Sequence, residues 1–215
     1  MVRTHNSTAT RTKLLEAARD VIRTKGYTAT TVDDICTEAG VTKGGFFHHF
    51  PSKEQLAKAA LEQFSAMASE LFHGAPYASL QDPRDRILGY VDFRIAILTG
   101  AIHEYTCLLG TTVQETHATH PELRAAADQG MTEHIEMLAR DIEAAKKLYA
   151  PGATWTAESV GYFIQSVLQG AFIFAKAKQG PAVAVESLKH LRRYLETLLG
   201  VPDARDVGNS DGGKQ

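Results

Sequence analysis

The sequence predicts an all-α protein. Apolar residues recur at spacings of three and four along most of the 215 residues, which is the period of an amphipathic helix. No stretch of useful length alternates between apolar and polar residues as a β-strand would. Apolar residues make up 44% of the chain and charged residues 22%, as is typical of a chain that folds around a core. Polar breaks divide the pattern into about nine helices.

The first residues are polar. Residues 1–10 lack helical periodicity, so we expect a flexible N-terminal arm. A first helix follows, in which Leu14, Ala18 and Ile22 share one face. Gly26 comes after the last periodic residue and is the residue type that most often ends a helix.

Two short helices should come next. Thr31 and Asp34 resemble a capping box that opens one helix, with Asp in place of the usual Glu, and Gly40 ends that helix. Thr42 is the expected N-cap of the other helix, which carries Lys43–Phe50 and stops before a proline. The pattern therefore predicts a pair of short helices joined by a tight glycine turn.

The rest of the chain is predicted to be helical. Ser52 and Gln55 form a further capping pair that opens a longer helix. Polar breaks are expected at residues 74–80, near 100, and at 117–120, 151–154 and 180–181. The tail, residues 201–215, is rich in Gly, Asp, Asn and Ser and is predicted to be disordered.

Charge and cysteine usage bound the class of protein. The net charge is −2, yet the first sixty residues carry nine Lys or Arg against six Asp or Glu, and the remainder carries fourteen against nineteen. Such an asymmetry weakly favours an anionic partner for the first part. Cys36 and Cys107 lie far apart and no signal-peptide pattern precedes them, which indicates a reducing cytoplasm. No apolar run approaches the length of a membrane span.

Adjacent glycines at the front of the third helix need an explanation. Each Gly in a helix interior costs about 0.8–1 kcal/mol relative to Ala. Two short helices after a longer one match the helix-turn-helix, whose second helix enters the major groove of DNA. We interpret Gly44 and Gly45 as clearance for the approach of a base pair or phosphate, which leaves space for Thr42, Lys43 and His48.

The stretch "GYTATTVDDICTEAGVTKGGFFHHFPSKEQL" resembles the N-terminal DNA-binding signature of the tetracycline-repressor (TetR) family. The matching positions are Gly26, Thr31, Val32, Ile35, Ala39, Gly40, Val41, Lys43, Gly44, Phe50, Lys53 and Leu56. The resemblance implies an N-terminal three-helix helix-turn-helix domain followed by a larger helical ligand-binding and dimerisation domain. We accordingly predict a DNA-binding part at residues 1–53, an effector-binding and dimerisation part at 54–200, and the tail.

The resemblance also implies which residues contact DNA. They are Thr31, Thr42, Lys43, Gly44, Gly45, Phe47, His48, His49 and Lys53. Lys43 is the best candidate for a hydrogen bond to guanine. Phe47, His49 and Lys53 fall where the family usually meets phosphates, although many members have Tyr at the position of Phe47.

Several side chains of the same stretch are expected to be structural. Ile35, Cys36, Val41, Phe46 and Phe50 are expected in the core of the small domain. The adjacent pair of histidines reads either as a DNA contact or as ordinary surface residues, and neighbouring positions on a helix are poorly placed to share a metal ion.

The last two predicted helices are the candidates for a dimer interface. Residues 159–180 are apolar on most sides, and a leucine stripe follows. The resemblance implies that these helices pair with their copies through Phe163, Val167, Gly170, Leu188, Leu191, Leu195 and Leu198. The alternative is that they pack only inside one subunit. A homodimer also follows from mechanism, because two recognition helices read half-sites about 34–36 Å apart on a palindromic operator.

The stretch "LTGAIHEYTCLLGTTVQE" brings polar groups into an apolar region, as a small-molecule pocket requires. The candidate effector-binding residues are His103, Tyr105, Cys107, Thr111 and Gln114, with Phe64, Met67, Phe93, Met137, Phe163 and Phe172 as apolar walls. Each aromatic or Met side chain alone could equally be plain core.

Cysteine chemistry and metal binding are alternatives in the same part of the chain. Cys107 reads as a buried neutral thiol, a redox sensor, or an enzyme nucleophile beside His103. Glu115, His117 and His120 could be read as a metal trio, but they flank a loop and a helix start. We find no phosphate-binding loop, zinc-binding HExxH or GxSxG, and we expect no cofactor and no metal.

The sequence therefore predicts a DNA-binding transcription regulator that is not an enzyme. We expect a homodimeric repressor that a small-molecule effector releases from its operator. Two alternatives stay open: an enzyme on an all-α scaffold, and a DNA-binding activator without a ligand.

Overall fold

The computed structural model describes residues 2–200, with side chains described from Ser7 onward. This part of the chain holds ten α-helices and one short 3₁₀ helix, Pro76–Ser79, and no strand. The α-helices are α1 (Val2–Lys25), α2 (Val32–Ala39), α3 (Lys43–His49), α4 (Lys53–His73), α5 (Pro83–Ala96), α6 (Ile102–Tyr105), α7 (Leu108–Thr116), α8 (Pro121–Tyr149), α9 (Ala157–Lys178) and α10 (Ala182–Leu198). The prediction of an all-α fold is confirmed.

Helix boundaries follow the sequence signals at every predicted break. The loops after α4, α5, α7, α8 and α9 fall where polar residues interrupt the apolar pattern. Across residues 2–200, every helix is too short or too polar to span a bilayer. The predicted disordered tail lies outside the described residues.

The predicted flexible arm is wrong for residues 2–10, because α1 already begins at Val2. No Pro or Gly interrupts residues 2–13. Once Leu14 and Ile22 are fixed in the core, each residue added to an existing helix gains a backbone hydrogen bond at little further cost. Thr12 Oγ1 also donates to the Thr8 carbonyl at 3.2 Å.

The chain divides into two compact units, and the division falls within α4 and within α8. The first unit comprises Met1–Leu71 and Thr99–His134, and the second Phe72–Leu98 and Ile135–Gln215. In the first unit α1–α3 share a core with the start of α4 and with α7 and α8. The predicted boundary after residue 53 concerned the DNA-binding part alone and stays a prediction.

The core of the first unit contains the side chains that the sequence placed there. Ile35 and Phe46 are fully buried, and Cys36 and Phe50 nearly so, while Val41 is half-buried against them. Since Phe46 and Phe50 share one face of α3, their burial turns the opposite face of this short helix toward solvent.

An aromatic cluster organises the second unit. Phe72, Tyr77, Tyr90 and Phe93 lie with neighbouring ring centroids 5.5–5.9 Å apart. The guanidinium carbon of Arg94 lies 4.2 Å from the centroid of the Phe72 ring, in cation–π geometry. Helix α10 packs against α5 and α9.

The leucine stripe of α10 faces inward. Leu188, Leu191 and Leu195 are 1%, 3% and 0% exposed within the chain itself, so they pack within the second unit and offer no free surface to another copy. The expectation that they line a dimer interface is corrected for these three. Their stripe is the most apolar face of an otherwise charged helix, and α5 and α9 already cover it.

Candidate nucleic-acid interface

Helix α2 begins with the predicted capping box. The Thr31 backbone N–H donates to Asp34 Oδ2 at 2.7 Å, and the Asp34 N–H donates back to Thr31 Oγ1 at 3.1 Å. Lys25 Nζ lies 2.5 Å from the same carboxylate. Lys25 and the Thr31 donors hold the pKa of Asp34 well below its usual range. The negative charge therefore stays at the N-terminus of α2, where the helix dipole favours it.

A glycine turn sets the direction of α3. Gly40 adopts φ 62°, and its N–H donates to the carbonyls of Cys36 and Thr37 at the end of α2. This left-handed conformation is one that glycine adopts without steric cost. Thr42 then caps α3, because its Oγ1 accepts a hydrogen bond from the Gly45 N–H at 3.1 Å.

The outer face of α3 carries most of the predicted contact residues. Thr42, Lys43, Gly44, Phe47 and His48 are exposed, and Phe47 is 55% exposed despite its apolar ring. Gly45 and His49 are partly covered. A short helix with a bare backbone, a lysine and aromatic side chains thus faces solvent.

Different contacts explain why each of the two adjacent positions is glycine. Among the described residues, a Cβ added at Gly44 would meet only Thr42 Oγ1, at 3.9 Å, so none of them requires glycine there. A Cβ added at Gly45 would lie 2.8 Å from Val41 Cγ1, which is closer than real Cβ contacts allow. Clearance for an outside partner is therefore an explanation for Gly44, whereas Gly45 accommodates its own neighbour.

Lys43 is paired with an acidic residue on α2. Its Nζ lies 2.8 Å from Asp33 Oδ1, and the two side chains are 62% and 65% exposed. An ion pair in water contributes little, about 0–1 kcal/mol. The lysine can therefore exchange this carboxylate for another acceptor at small cost.

Lys53 has an internal role that the sequence did not indicate. Its Nζ donates to the carbonyl oxygens of Tyr27 at 3.0 Å and Thr30 at 2.8 Å, and it lies 4.2 Å from the centroid of the Tyr27 ring. Burial lowers the pKa of Lys53. A phosphate contact through this ammonium would compete with the bonds that hold the α1–α2 turn, so the predicted contact stays a prediction.

Helix α7 holds the same turn from another side. The Thr28 N–H donates to Glu115 Oε2 at 2.8 Å. Gly26, at φ 87°, leaves room for this carboxylate, which a Cβ would strike. The rings of Tyr27 and His120 meet edge to face at 5.1 Å. Sequence reasoning could not find this clamp, because Thr28 and Glu115 are 87 positions apart.

The same placement bears on the suggested metal trio. Glu115 is engaged with the Thr28 amide and the His120 ring packs on Tyr27. Within residues 2–200, no three His, Cys, Asp or Glu side chains are grouped so that they could hold a metal ion.

Arg11 is a candidate contact that sequence reasoning missed. Its guanidinium carbon lies 5.2 Å from the centroid of the Phe50 ring. With burial and His48, Arg11 lowers the pKa of His49. An exposed arginine thus stands on α1 next to the end of α3. The available signal was an arginine just before the apolar pattern of α1.

The eleven candidate effector-binding residues are divided between the two units. Phe64, Met67, His103, Tyr105, Cys107, Thr111 and Gln114 belong to the first unit, and Phe93, Met137, Phe163 and Phe172 to the second. Thr111 Oγ1 and Gln114 Nε2 donate to carbonyls of α7 or its cap. Cys107, a half-buried free thiol, is that cap and accepts a hydrogen bond from the Gly110 N–H at 3.4 Å.

Two sequence models of known families match the chain. Residues 14–60 match "Bacterial regulatory proteins, tetR family", and residues 83–191 match "Tetracyclin repressor-like, C-terminal domain". The second match alone spans about half of the chain. The first covers α2, α3 and the second half of α1.

Individual proteins resemble the chain over most of its length. An uncharacterized HTH-type transcriptional regulator of Lactococcus lactis subsp. lactis is 25% identical over 201 residues, which cover 90% of this chain and 97% of that protein. The HTH-type transcriptional repressor NemR of Escherichia coli K12 is 24% identical over 195 residues, 90% and 97% of the two chains. A TetR regulator of Chloroflexus aurantiacus has the same fold, with a TM-score of 0.78 at 24% identity, covering 92% of this chain and 97% of that one.

Alanine at the two glycines should separate their roles. Gly44→Ala should raise the free energy of unfolding by up to about 1 kcal/mol, because alanine favours the helix and its Cβ makes only an ordinary contact with Thr42 Oγ1 at 3.9 Å. Gly45→Ala should gain less or be destabilising, because its Cβ meets Val41. Thermal and urea unfolding followed by circular dichroism measure both. Equal stabilisation by the two variants would remove the distinction.

Proposed function

The chain belongs to the tetR family of bacterial regulatory proteins and is a DNA-binding transcription regulator, and from that premise we propose that it is a repressor whose α3 reads a palindromic operator. The observation that carries the proposal is Gly44, a bare position on the outer face of α3 that none of the described residues requires to be glycine. It stands at the start of a helix that buried Phe46 and Phe50 hold in place.

The exposed residues around Gly44 supply the chemistry that DNA needs. Lys43 exchanges Asp33 for a guanine edge, and Thr42 and His48 stand beside it as further hydrogen-bonding groups. Thr31, Phe47 and His49 approach the phosphates, and Arg11 joins them from α1. Phosphate contacts set the position on the duplex, and base contacts set the sequence.

We propose a homodimer formed through α9 and α10. One face of α9 carries the exposed side chains of Tyr162, Phe163, Ile173 and Phe174. Tyr194 of α10 meets Phe163 with ring centroids 4.9 Å apart and is itself 45% exposed. A contiguous exposed apolar surface of this kind marks an interaction site.

The middle of that face suits close approach of a second helix. Gly170 lies between the two pairs of apolar side chains, and a Cβ added there would meet nothing within 4 Å. Val167 and Leu198 are half-buried and stay in the proposed interface, whereas the three inward leucines of α10 leave it. Two copies would present two α3 helices to half-sites one helical turn apart.

In the same proposal, a small-molecule effector releases the protein from its operator. The protein acts in the cytoplasm, where the operator is accessible. Effector and DNA must oppose each other reciprocally, and a typical coupling of about 1–3 kcal/mol corresponds to a 5- to 150-fold loss of DNA affinity. The turn between α1 and α2 is a route for this coupling, because Glu115 of α7 and Lys53 of α4 both hold it.

Selection of bound fragments from random DNA tests the function. The wild-type protein should enrich a palindromic sequence. Gly44→Ala should bind that sequence about 5- to 150-fold more weakly, because a methyl group at the closest backbone approach separates one good base contact worth about 1–3 kcal/mol. Since this variant is expected to be more stable, lost binding cannot come from unfolding. Unselective wild-type binding would contradict the proposal.

Lys43 and Asp33 should act in opposite directions on DNA affinity. Lys43→Ala should weaken binding by about 1–3 kcal/mol and relax preference at one base pair. Asp33→Asn should tighten binding, up to about 5-fold, because it releases Lys43 from a pair worth at most about 1 kcal/mol. Fluorescence anisotropy at several salt concentrations measures both effects.

The control for Asp33→Asn is Asp128→Asn, an exposed residue of α8 that removes the same charge away from α3. If both asparagine variants tighten binding equally, net charge explains the effect and the exchange of partners by Lys43 does not.

Phe174→Asp should dissociate the dimer. Placing a carboxylate in a buried apolar contact removes a hot spot worth about 2 kcal/mol or more, so dimerisation should weaken at least about 30-fold. Leu148→Asp is the matched control, because Leu148 is 64% exposed on α8 and lies off this face. Sedimentation velocity measures both variants. A dimer that survives Phe174→Asp and not Leu148→Asp places the interface elsewhere.

A further inference from the structure

We propose that Arg23, together with the hydroxyl groups of Tyr105, Thr106 and Thr112, forms a binding site for a small organic monocarboxylate inside the first unit. We further infer that this acid is the effector that releases DNA, an inference that rests on the proposed function. All four residues lie in one compact unit, Arg23 on α1 and the other three along α6 and α7.

Arg23 is a buried cation without an adequate partner. The residue is 6% exposed, and its nearest carboxylate oxygen, Asp20 Oδ1, lies 4.0 Å from Nη1. Arg19 occupies both oxygens of Asp20, at 2.8 and 2.9 Å. The Nε of Arg23 is buried with no hydrogen-bond acceptor among the described residues. A buried charge is costly unless it is paired, so an anion supplied from outside would satisfy it.

The hydroxyl groups are equally unusual. Six buried side-chain nitrogen or oxygen atoms lack a partner among the described residues, and four of them are Arg23 Nε, Tyr105 Oη, Thr106 Oγ1 and Thr112 Oγ1. Buried polar atoms are nearly always hydrogen-bonded, so each exception needs a reason. These four share a unit in which α1 packs against α6 and α7.

Thr112 differs from the neighbouring threonines of α7. The neighbouring threonines satisfy their hydroxyls locally: Thr111 Oγ1 donates to the Cys107 carbonyl at 2.9 Å, and Thr116 Oγ1 to the Thr112 carbonyl at 2.8 Å. Thr112 is fully buried and makes no such bond. Its hydroxyl is therefore free to donate to a bound molecule.

The surroundings select the class of ligand. A guanidinium with several hydroxyl donors recognises an oxyanion. The Phe64 ring, with its centroid 5.4 Å from the guanidinium carbon, offers apolar surface for the body of the molecule. The carboxylates of Asp20 and Glu104 already contribute negative potential at Arg23. A second negative charge would be repelled, so a monocarboxylate is favoured over a phosphate monoester.

The charge on Arg23 persists at working pH. Burial lowers the pKa of Arg23 to about 10, against the opposing influence of Asp20. The guanidinium thus stays charged near neutrality, where a carboxylic acid is ionised. Binding should therefore be unchanged across the neutral range.

The position of the site links it to the DNA-binding helices. Helix α1 packs against α2 and α3, and α7 holds the α1–α2 turn through Glu115 and Thr28. A molecule that bonds Arg23 on one side and Thr112 on the other changes the contact between α1 and α7. It then favours one arrangement of the turn over another.

The experiment uses the full-length protein and a panel of probes, namely benzoate, phenylacetate, cinnamate and octanoate, each paired with its neutral amide. Thermal unfolding and isothermal titration calorimetry follow wild type, Arg23→Met, Thr112→Val and the control Arg124→Gln. Arg124 is exposed on α8 in the same unit, so its replacement removes the same charge. Arg23→Met replaces an underpaired buried charge with an apolar side chain and should fold.

At least one acid should raise the melting temperature of wild type and of Arg124→Gln, while its amide does not. Affinity should fall about 10- to 100-fold in Arg23→Met and about 2- to 10-fold in Thr112→Val, as expected for one charged and one neutral hydrogen bond. If no acid stabilises wild type, or if Arg23→Met responds like wild type, the site is refuted.

A gel-shift assay on the selected operator separates this proposal from the proposed function. An acid that binds through Arg23 and releases the operator supports both. An acid that binds through Arg23 and leaves the operator bound overturns its role as the effector. A protein that selects no DNA sequence refutes the proposed function, while the unfolding data still decide the site.

Discussion

The turn between α1 and α2 is the constraint on which the rest of the first unit depends. The Lys53 ammonium binds two of its carbonyls, Glu115 accepts one of its amides, and Tyr27 packs against His120. Backbone polar groups in an irregular segment need such partners when water is excluded. Because α4 and α7 supply them, the position of α2, and through the glycine turn that of α3, depends on segments remote in sequence.

The exposed face of α3 is set by which of its side chains are buried. Burial of Phe46 and Phe50 fixes its inner face, and that choice exposes Lys43, Gly44, Phe47 and His48 together. The weak ion pair between Lys43 and Asp33 orients the lysine and can be broken at small cost. A helix held firmly from inside and only loosely engaged outside is suited to meet a rigid partner such as a duplex.

The first unit combines two kinds of polar group. At the turn, buried polar atoms are satisfied and the backbone is held. Around Arg23, four buried polar atoms have no hydrogen-bond partner among the described residues. An unsatisfied buried group lowers stability, and such departures concentrate where a protein has something to bind. The contrast between these two neighbouring regions is the basis for placing the effector site on α1, α6 and α7.

The sequence by itself determined the helix-turn-helix motif and most of the helix boundaries, but not the start of α1. Apolar periodicity, the Thr31–Asp34 capping box and the turn glycine are local signals, since each acts over a few residues of backbone, and the structure places them as predicted. The burial of Phe46 and Phe50 was also predictable from the local apolar pattern.

Tertiary structure alone decided what each remaining side chain does. The Lys53 ammonium donates hydrogen bonds to carbonyls 23 and 26 positions away. Gly45 is required because a Cβ there would clash with Val41. The α10 leucines face inward because α5 and α9 cover them. Arg23 is only 6% exposed, in a helix that packs against α6 and α7. Periodicity gives the face on which a residue lies, whereas its partners depend on which distant segments fold against that face.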